Sequence, residues 1–308
     1  MDQPKLSDYL ITALAPIIWG STYLVTTELL PANSPLLAAV LRALPAGLIL
    51  LLLGRTLPSG IWWWRAFVLG VLNIGAFFYF LFVAAYHLPG GIAALIMSFQ
   101  PMIVLILGFI VLKERIGSHQ ILACVLGAAG IAMLVLQSKI SLNMTGMLAG
   151  FAATICMATG IILSKHWGRP QSVSLLALTG WQLSVGGLVL LPIALLSEGL
   201  PNNITLLNGI GFTYLSLVGA LFAYAIWFRG LERLPAITVS FISFASPLTA
   251  CVLGFIFLNQ SLSLMQGFGA IIIIAAIGLS QPKNHHNLNK TNRVQTKNNV
   301  INKKQLLQ

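Results

Sequence analysis

Apolar residues in this chain come in runs of about 20 separated by short polar punctuation, the length an α-helix needs to cross roughly 30 Å of hydrocarbon. Ten such runs can be read, at 8–28, 36–54, 64–85, 90–112, 119–137, 144–164, 173–196, 207–228, 235–258 and 263–281. None alternates with the period of a barrel strand, and a backbone in lipid must satisfy its polar groups within its own segment, so each run predicts a helix. The expected fold class is an all-α polytopic membrane protein. Ala13-Leu14-Ala15 has the look of a signal-cleavage triplet, but little apolar sequence precedes it and Pro16 follows, so the first run reads as uncleaved helix.

The pattern is written twice. Leu88, Pro89, Ile96, Pro101, Leu107, Gly108, Phe109, Ile110 and Leu112 recur without a gap as Leu234, Pro235, Ile242, Pro247, Leu253, Gly254, Phe255, Ile256 and Leu258. Earlier, Leu36-Leu37-Ala38 with Leu44 and Gly47 matches Leu175-Leu176-Ala177 with Leu183 and Gly186, and Phe82 matches Phe228. The offset is 139 residues in the early part and 146 in the later part, which fits a longer external loop at 198–207. Charge moves between the copies: Lys113-Glu114-Arg115 becomes Asn259-Gln260-Ser261, whereas Tyr86-His87 becomes Glu232-Arg233. Two copies crossing a membrane in opposite directions would carry such a swap, the mark of an inverted-repeat transporter. The expected organisation is a cytoplasmic N-terminus at 1–7, a first five-helix repeat at 8–137, a second at 144–281 and a basic tail at 282–308. That tail is rich in asparagine and lysine, has no acid and is too poor in apolar residues to fold, so disorder is expected there.

Composition agrees with lipid as the solvent, because 57% of residues are apolar, 7% are charged and the mean hydropathy is +0.91. The net charge of +11 would suggest nucleic acid in a soluble protein, but six of the seventeen basic residues fall after position 282 and most others flank spans. Lys5, Arg55, Arg65, Lys113, Arg115, Lys165, Arg169, Arg229, Arg233 and the tail collect on one side of the ten-span plan, and Lys139 stands alone on the other. Lysine and arginine near spans are retained in the cytoplasm, so both termini are expected there, in the plasma (bacterial inner) membrane. Nothing in this plan requires more than a monomer. Cys124, Cys156 and Cys251 lie in apolar runs without metal-like spacing, and Trp62-Trp63-Trp64 beside Arg65 reads as an interfacial belt.

Residues 8–281 resemble the drug/metabolite transporter superfamily, EamA family. The resemblance is carried by Trp19-Gly20-Ser21-Thr22, the stretch from Leu37 to Arg42, the Pro101 segment ending in Leu112-Lys113-Glu114-Arg115, and the stretch from Trp227 to Arg233. Within that family the chain is most similar to the PecM-type branch of pigment and metabolite exporters. The resemblance implies ten helices in two inverted repeats. It also implies a central cavity lined by the first, third, fourth, sixth, eighth and ninth spans, open alternately to either side for export of amino-acid-like or pigment-like metabolites. A facilitative channel or a membrane sensor with the same fold is the alternative.

Polar side chains within a bilayer face the bundle interior or satisfy a neighbouring helix. Gln100 precedes Pro101 at mid-span, where a proline frees a carbonyl and bends the helix; Ser246 before Pro247 is its counterpart. Gln100 either offers its amide to substrate or repairs the backbone that Pro101 breaks. Asn73 either lines the cavity or bonds a neighbour. Trp19, Tyr79, Trp181 and Tyr224 are further candidates for the substrate path, with packing as the bland reading. Arg42 is the one basic residue predicted inside a span, and its guanidinium can bind a carboxylate, snorkel outward or hold a helix carbonyl, a structural role being preferred. Glu28 is its candidate charge partner and, with His87, a candidate for coupling near the outer face. No acid lies at mid-span, which argues against proton-coupled export of lipophilic cations. The sequence carries no paired carboxylates, nucleophile with a base, metal-like histidine spacing or phosphate loop, so an enzyme or nucleotide-driven pump is not expected, and no cofactor or metal is implied. The expected partners are a small-molecule substrate and the lipid bilayer.

Overall fold

The computed structural model describes residues 5–31, 34–88, 90–135, 143–201, 203–257 and 263–280, and the expected tail at 282–308 lies outside them. Every regular element among the described residues is a helix. In chain order these are α1 (Leu6–Leu29), α2 (Pro35–Gly54), α3 (Trp62–Gly70), π1 (Val71–Gly75), α4 (Ala76–His87), α5 (Gly90–Met97), α6 (Gln100–Leu107), π2 (Gly108–Leu112) and α7 (Ser118–Val135). There follow α8 (Met144–Trp167), α9 (Leu175–Ser197), α10 (Leu206–Ser216), π3 (Leu217–Phe222), α11 (Ala223–Arg233), α12 (Ala236–Ile242), α13 (Ala245–Phe257) and α14 (Leu264–Leu279). Eight helical stretches among the described residues are long and apolar enough to span a membrane, and the apolar helices Ser118–Leu134 and Leu264–Leu279 are shorter. Leucines such as Leu196 and Leu264 stand 89% and 86% exposed, which suits a lipid solvent and not water. The protein is an integral membrane protein.

Two sequence expectations change. The prolines were expected to bend continuous helices. Instead the helix stops at Ser98–Phe99 and again at Ser243–Phe244, and Pro101 and Pro247 fall in the first turns of the helices that restart, α6 and α13. Amides of a first turn have no intrahelical acceptor, so a residue without an N–H costs nothing there. Second, the spans expected to end at 164 and 228 run on to Trp167 and Arg233, so Lys165, Arg229 and Arg233 sit on terminal helical turns.

Helices pack as pairs drawn from the two halves: α2 on α9, α7 on α14, α4 on α8, and α1 on α11 and α13. Close approach makes these pairs. A Cβ on Gly130 of α7 would come 2.9 Å from the Gly269 carbonyl of α14, and one on Gly269 would come 2.6 Å from the Gly130 carbonyl, so glycine at both positions lets the two backbones touch.

Contacts sort the helix ends into two sets. At one end Asp8 at the start of α1 binds Arg229 (2.9 Å) and Arg233 (3.4 Å) at the end of α11, and Arg169 beyond α8 binds Glu232 (2.6 Å). Lys165 Nζ donates to the Leu231 and Leu234 carbonyls at 2.9 and 2.8 Å, and Arg65 of α3 lies over the Trp167 ring. At the other end Glu198 after α9 accepts from the Leu36 and Leu37 amides at the start of α2 (2.8 and 2.9 Å). Asn208 of α10 donates to the Leu29 carbonyl of α1, and Gly146 of α8 lies against His87 and Leu88. Basic residues thus gather at one end of the bundle.

Replacing Gly269 with leucine should force α7 from α14 and lower the unfolding temperature of the detergent-solubilised protein, the overpacking costing about 1–3 kcal/mol. Gly267→Leu is the control, because a side chain there would meet nothing within 4 Å; equal effects of the two changes would refute the crossing.

Candidate functional site

The best-built polar constellation surrounds a backbone carbonyl. In π3 the Ala223 amide bonds to the Val218 and Ala220 carbonyls and bypasses Gly219, its ordinary α-helical partner. Side chains from the first two helices take up that carbonyl: Trp19 Nε1 of α1 donates to it at 3.0 Å and Arg42 Nη2 of α2 at 3.0 Å. The Arg42 guanidinium lies 5.2 Å from the centre of the Phe78 ring, and the side chain is 8% exposed. Trp19 packs against Tyr224 (4.9 Å between ring centres) and Trp227 (5.1 Å), while Tyr224 reaches Phe78 at 6.5 Å. Ser246 adjoins this group through its backbone, since a Cβ on Gly20 would lie 2.6 Å from the Ser246 carbonyl. The result is an aromatic wall with one cation set into it.

A second constellation is built on π1. The Ala76 amide reaches back to the Val71 carbonyl, and the widened turn carries Asn73, which is 1% exposed. Asn73 Nδ2 donates to Ser164 Oγ of α8 at 3.1 Å and to Gln182 Oε1 of α9 at 2.7 Å, while its Oδ1 is buried without a partner. Gly160 leaves room for it, because a Cβ there would overlap the amide. Of the two readings of Asn73, the geometry is that of bonding neighbouring helices.

The remaining candidates are scattered. Gln100 is buried at the start of α6 with its Nε2 lacking an acceptor, so it does not repair the backbone beside Pro101. Tyr79 is half-buried beside Phe80. Trp181 is not part of the Trp19 group: its Nε1 donates to the Thr56 carbonyl at 2.8 Å, it packs on Trp62, and it belongs to a separate cluster with Ala66, Val173 and Leu178. Glu28 is exposed, and the ion pairs among the described residues are those of Asp8 and Glu232, so no ion pair joins Glu28 to Arg42. Arg42 turns to Gly219 because a dipole within reach compensates a buried cation where a distant, hydrated carboxylate does not.

Sequence reasoning missed Gln182, Phe78, Trp227 and Gly219. Gln182 carried the same signal as Asn73, an amide in mid-run. Gly219 carried none, because its chemistry is that of the backbone.

Comparison with known proteins brings a family to these observations. The model of the EamA-like transporter family matches the chain twice, at residues 6–136 and 144–280. Protein PecM of Dickeya dadantii is 50% identical over 277 residues, covering 90% of this chain and 92% of its own. A probable amino-acid metabolite efflux pump of Salmonella typhimurium is 26% identical, covering 88% and 93% of the two chains. A solved crystal structure superimposes with a TM-score of 0.75 over 89% of this chain and 97% of its own at 19% identity, a likeness of fold.

The Asn73–Gln182 bond predicts coupled stabilities. Asn73→Ala and Gln182→Ala should each destabilise by about 1–3 kcal/mol by stranding a buried partner, and the double variant should fall short of their sum by about 0.5 kcal/mol or more. Additive shifts in unfolding temperature would show that the two amides do not act together.

Proposed function

The chain belongs to the EamA-like transporter family, and from that membership we propose that it is a secondary-type exporter of small polar or amphipathic metabolites. It works by alternating access between two inverted five-helix repeats, 8–137 and 144–281, with ten spans and both termini in the cytoplasm of a bacterial inner membrane. The names of its relatives favour pigment-like or amino-acid-like solutes.

The observation that carries this reading is the pairing of π1 with π3. They begin at residues 71 and 217, separated by the 146-residue offset of the sequence repeat, so Gly219 is the counterpart of Asn73. Asn73 bonds to α8 and α9, the first two helices of the second half; Gly219 bonds to α1 and α2, the first two of the first half. Such reciprocal swapping is what an in-plane two-fold relation produces. The interruptions at 98–99 and 243–244 recur within one residue of the same offset, and broken helices in corresponding positions of two halves mark substrate sites near the mid-plane.

In this reading Trp19, Tyr79, Tyr224 and Ser246 flank the substrate path, Gln100 offers its free amide to a polar group of the solute, and Asn73 sets the spacing of π1 against the second half. Trp181 serves packing at one end. The ionic cluster of Asp8, Lys165, Arg169, Arg229, Glu232 and Arg233 closes the cytoplasmic end and opens when the two halves rock.

Efflux from proteoliposomes loaded with a metabolite panel, with and without an imposed proton gradient, tests the transport reading. Gln100→Ala should cut transport of the solute that moves by about tenfold, the worth of one buried hydrogen bond, with folding preserved. Normal transport would remove Gln100 from the path. For the topology, cysteines at Ser118 and Ser263 in a background without native cysteines should react from opposite sides of the membrane; labelling from one common side would end the inverted arrangement.

A further inference from the structure

Arg42 carries a buried charge that no acid among the described residues neutralises. Asp8 is engaged by Arg229 and Arg233, Glu232 by Arg169, and Glu198 by the α2 amides, while Glu28 is exposed and Glu114 lies beside Gly108. One carbonyl, that of Gly219, is shared between Arg42 and Trp19. Arg42 Nε is buried without an acceptor, and so is Nε1 of Trp227, whose ring packs on Trp19. The hydroxyls of Ser216, one turn before Gly219, and of Thr22, one turn after Trp19, are likewise buried and unpartnered. Arginine and indole nitrogens can only donate. Around Gly219 there are therefore nitrogen donors without acceptors and a positive charge, beside two hydroxyls that can act either way, in a region where an unneutralised cation costs several kcal/mol.

We propose that the cluster of Arg42, Trp19, Trp227, Ser216 and Thr22 is a subsite for the carboxylate of the exported solute, with Arg42 as its charged donor. This rests on the transport reading and deepens it by naming the solute's anionic group. A planar carboxylate accepts from two N–H groups of a guanidinium at once, and such charge-assisted bonds are strong where water is excluded. The walls of Trp19, Phe78 and Tyr224 take the apolar remainder of the molecule. With the carboxylate bound, the solute supplies the negative charge that the bundle lacks.

Phenyl probes of similar size with and without a carboxylate test this on the full-length protein in detergent. L-phenylalanine and 3-phenylpropionate should raise the unfolding temperature saturably, as any ligand of the native state does, and L-phenylalaninamide should bind at least tenfold more weakly. Arg42→Gln should lose the preference for the acids, and Arg42→Lys should keep part of it, since lysine retains the charge without the fork. The comparison of acid and amide needs only the unaltered protein, so it stands even where a variant fails to fold. Equal stabilisation by acid and amide, no stabilisation by either acid, or an acid preference unchanged in Arg42→Gln overturns the subsite. Efflux separates the failures: export of neutral or cationic solutes without carboxylate preference leaves the transporter and removes the subsite, whereas no movement of any solute removes the transport reading itself.

Discussion

Every backbone carbonyl released inside a membrane needs a donor, and this constraint shapes the interior of the protein. Lipid offers no hydrogen bonds, so a carbonyl released by a widened helical turn is stabilised where another part of the chain supplies the missing partner. At π3 the partner is a pair of donors, Trp19 and Arg42, brought from α1 and α2. The Gly219 carbonyl therefore fixes three rods relative to one another. It also sets the register of the aromatic wall, since Trp19 cannot reach that carbonyl without lying against Tyr224 and Trp227.

The widened turns of the two halves carry different chemistry. At π1 the turn brings its own amide, Asn73, which spends its donor on Ser164 and Gln182 and is neutral throughout. At π3 the turn brings a glycine, and the side chains come from elsewhere with a positive charge. A bundle with exact two-fold symmetry would have no electrical direction at its centre. Here the cation lies on the side of α1, α2 and π3, and the neutral amides lie on the side of π1, α8 and α9, so the two constellations differ in charge.

Much of this was legible in the sequence, for physical reasons. The helices were, because a run of about 20 apolar residues has no other stable form in lipid. The double match of the family model was foreshadowed by Pro89, Pro101 and Gly108 recurring as Pro235, Pro247 and Gly254. What escaped is instructive. Span ends were drawn short at 164 and 228 because lysine and arginine look like loop residues, yet Arg229 and Arg233 remain helical with Asp8 as their partner. Pro101 looked like a kink because the stop at Ser98–Phe99 before it has no compositional signal. Trp181 looked like a site residue for its type alone, and the Thr56 carbonyl that holds it belongs to the 55–63 connection, whose contacts the apolar pattern cannot assign. Gly219, the centre of the constellation, was beyond any reading of side chains.

The ends of the bundle differ as much as its halves. One is held by ion pairs whose arginines remain 29–55% exposed, the other by a carboxylate on helix amides and by Gly146 packed on His87 and Leu88. The half-exposed Arg169–Glu232 pair contributes roughly 0–1 kcal/mol, because water solvates the separated charges nearly as well as they solvate one another, whereas Asp8, 7% exposed, would be left as a buried charge without its arginines. Apolar surface has no such substitute, and its exposure to water costs about 25 cal/mol per Å². Parting α1 from α11 at the ionic end therefore requires the buried Asp8 carboxylate to be rehydrated as its arginines leave, whereas parting α4 from α8 exposes apolar surface. The two ends are thus held by different forces, charge at one and apolar packing with a carboxylate on helix amides at the other.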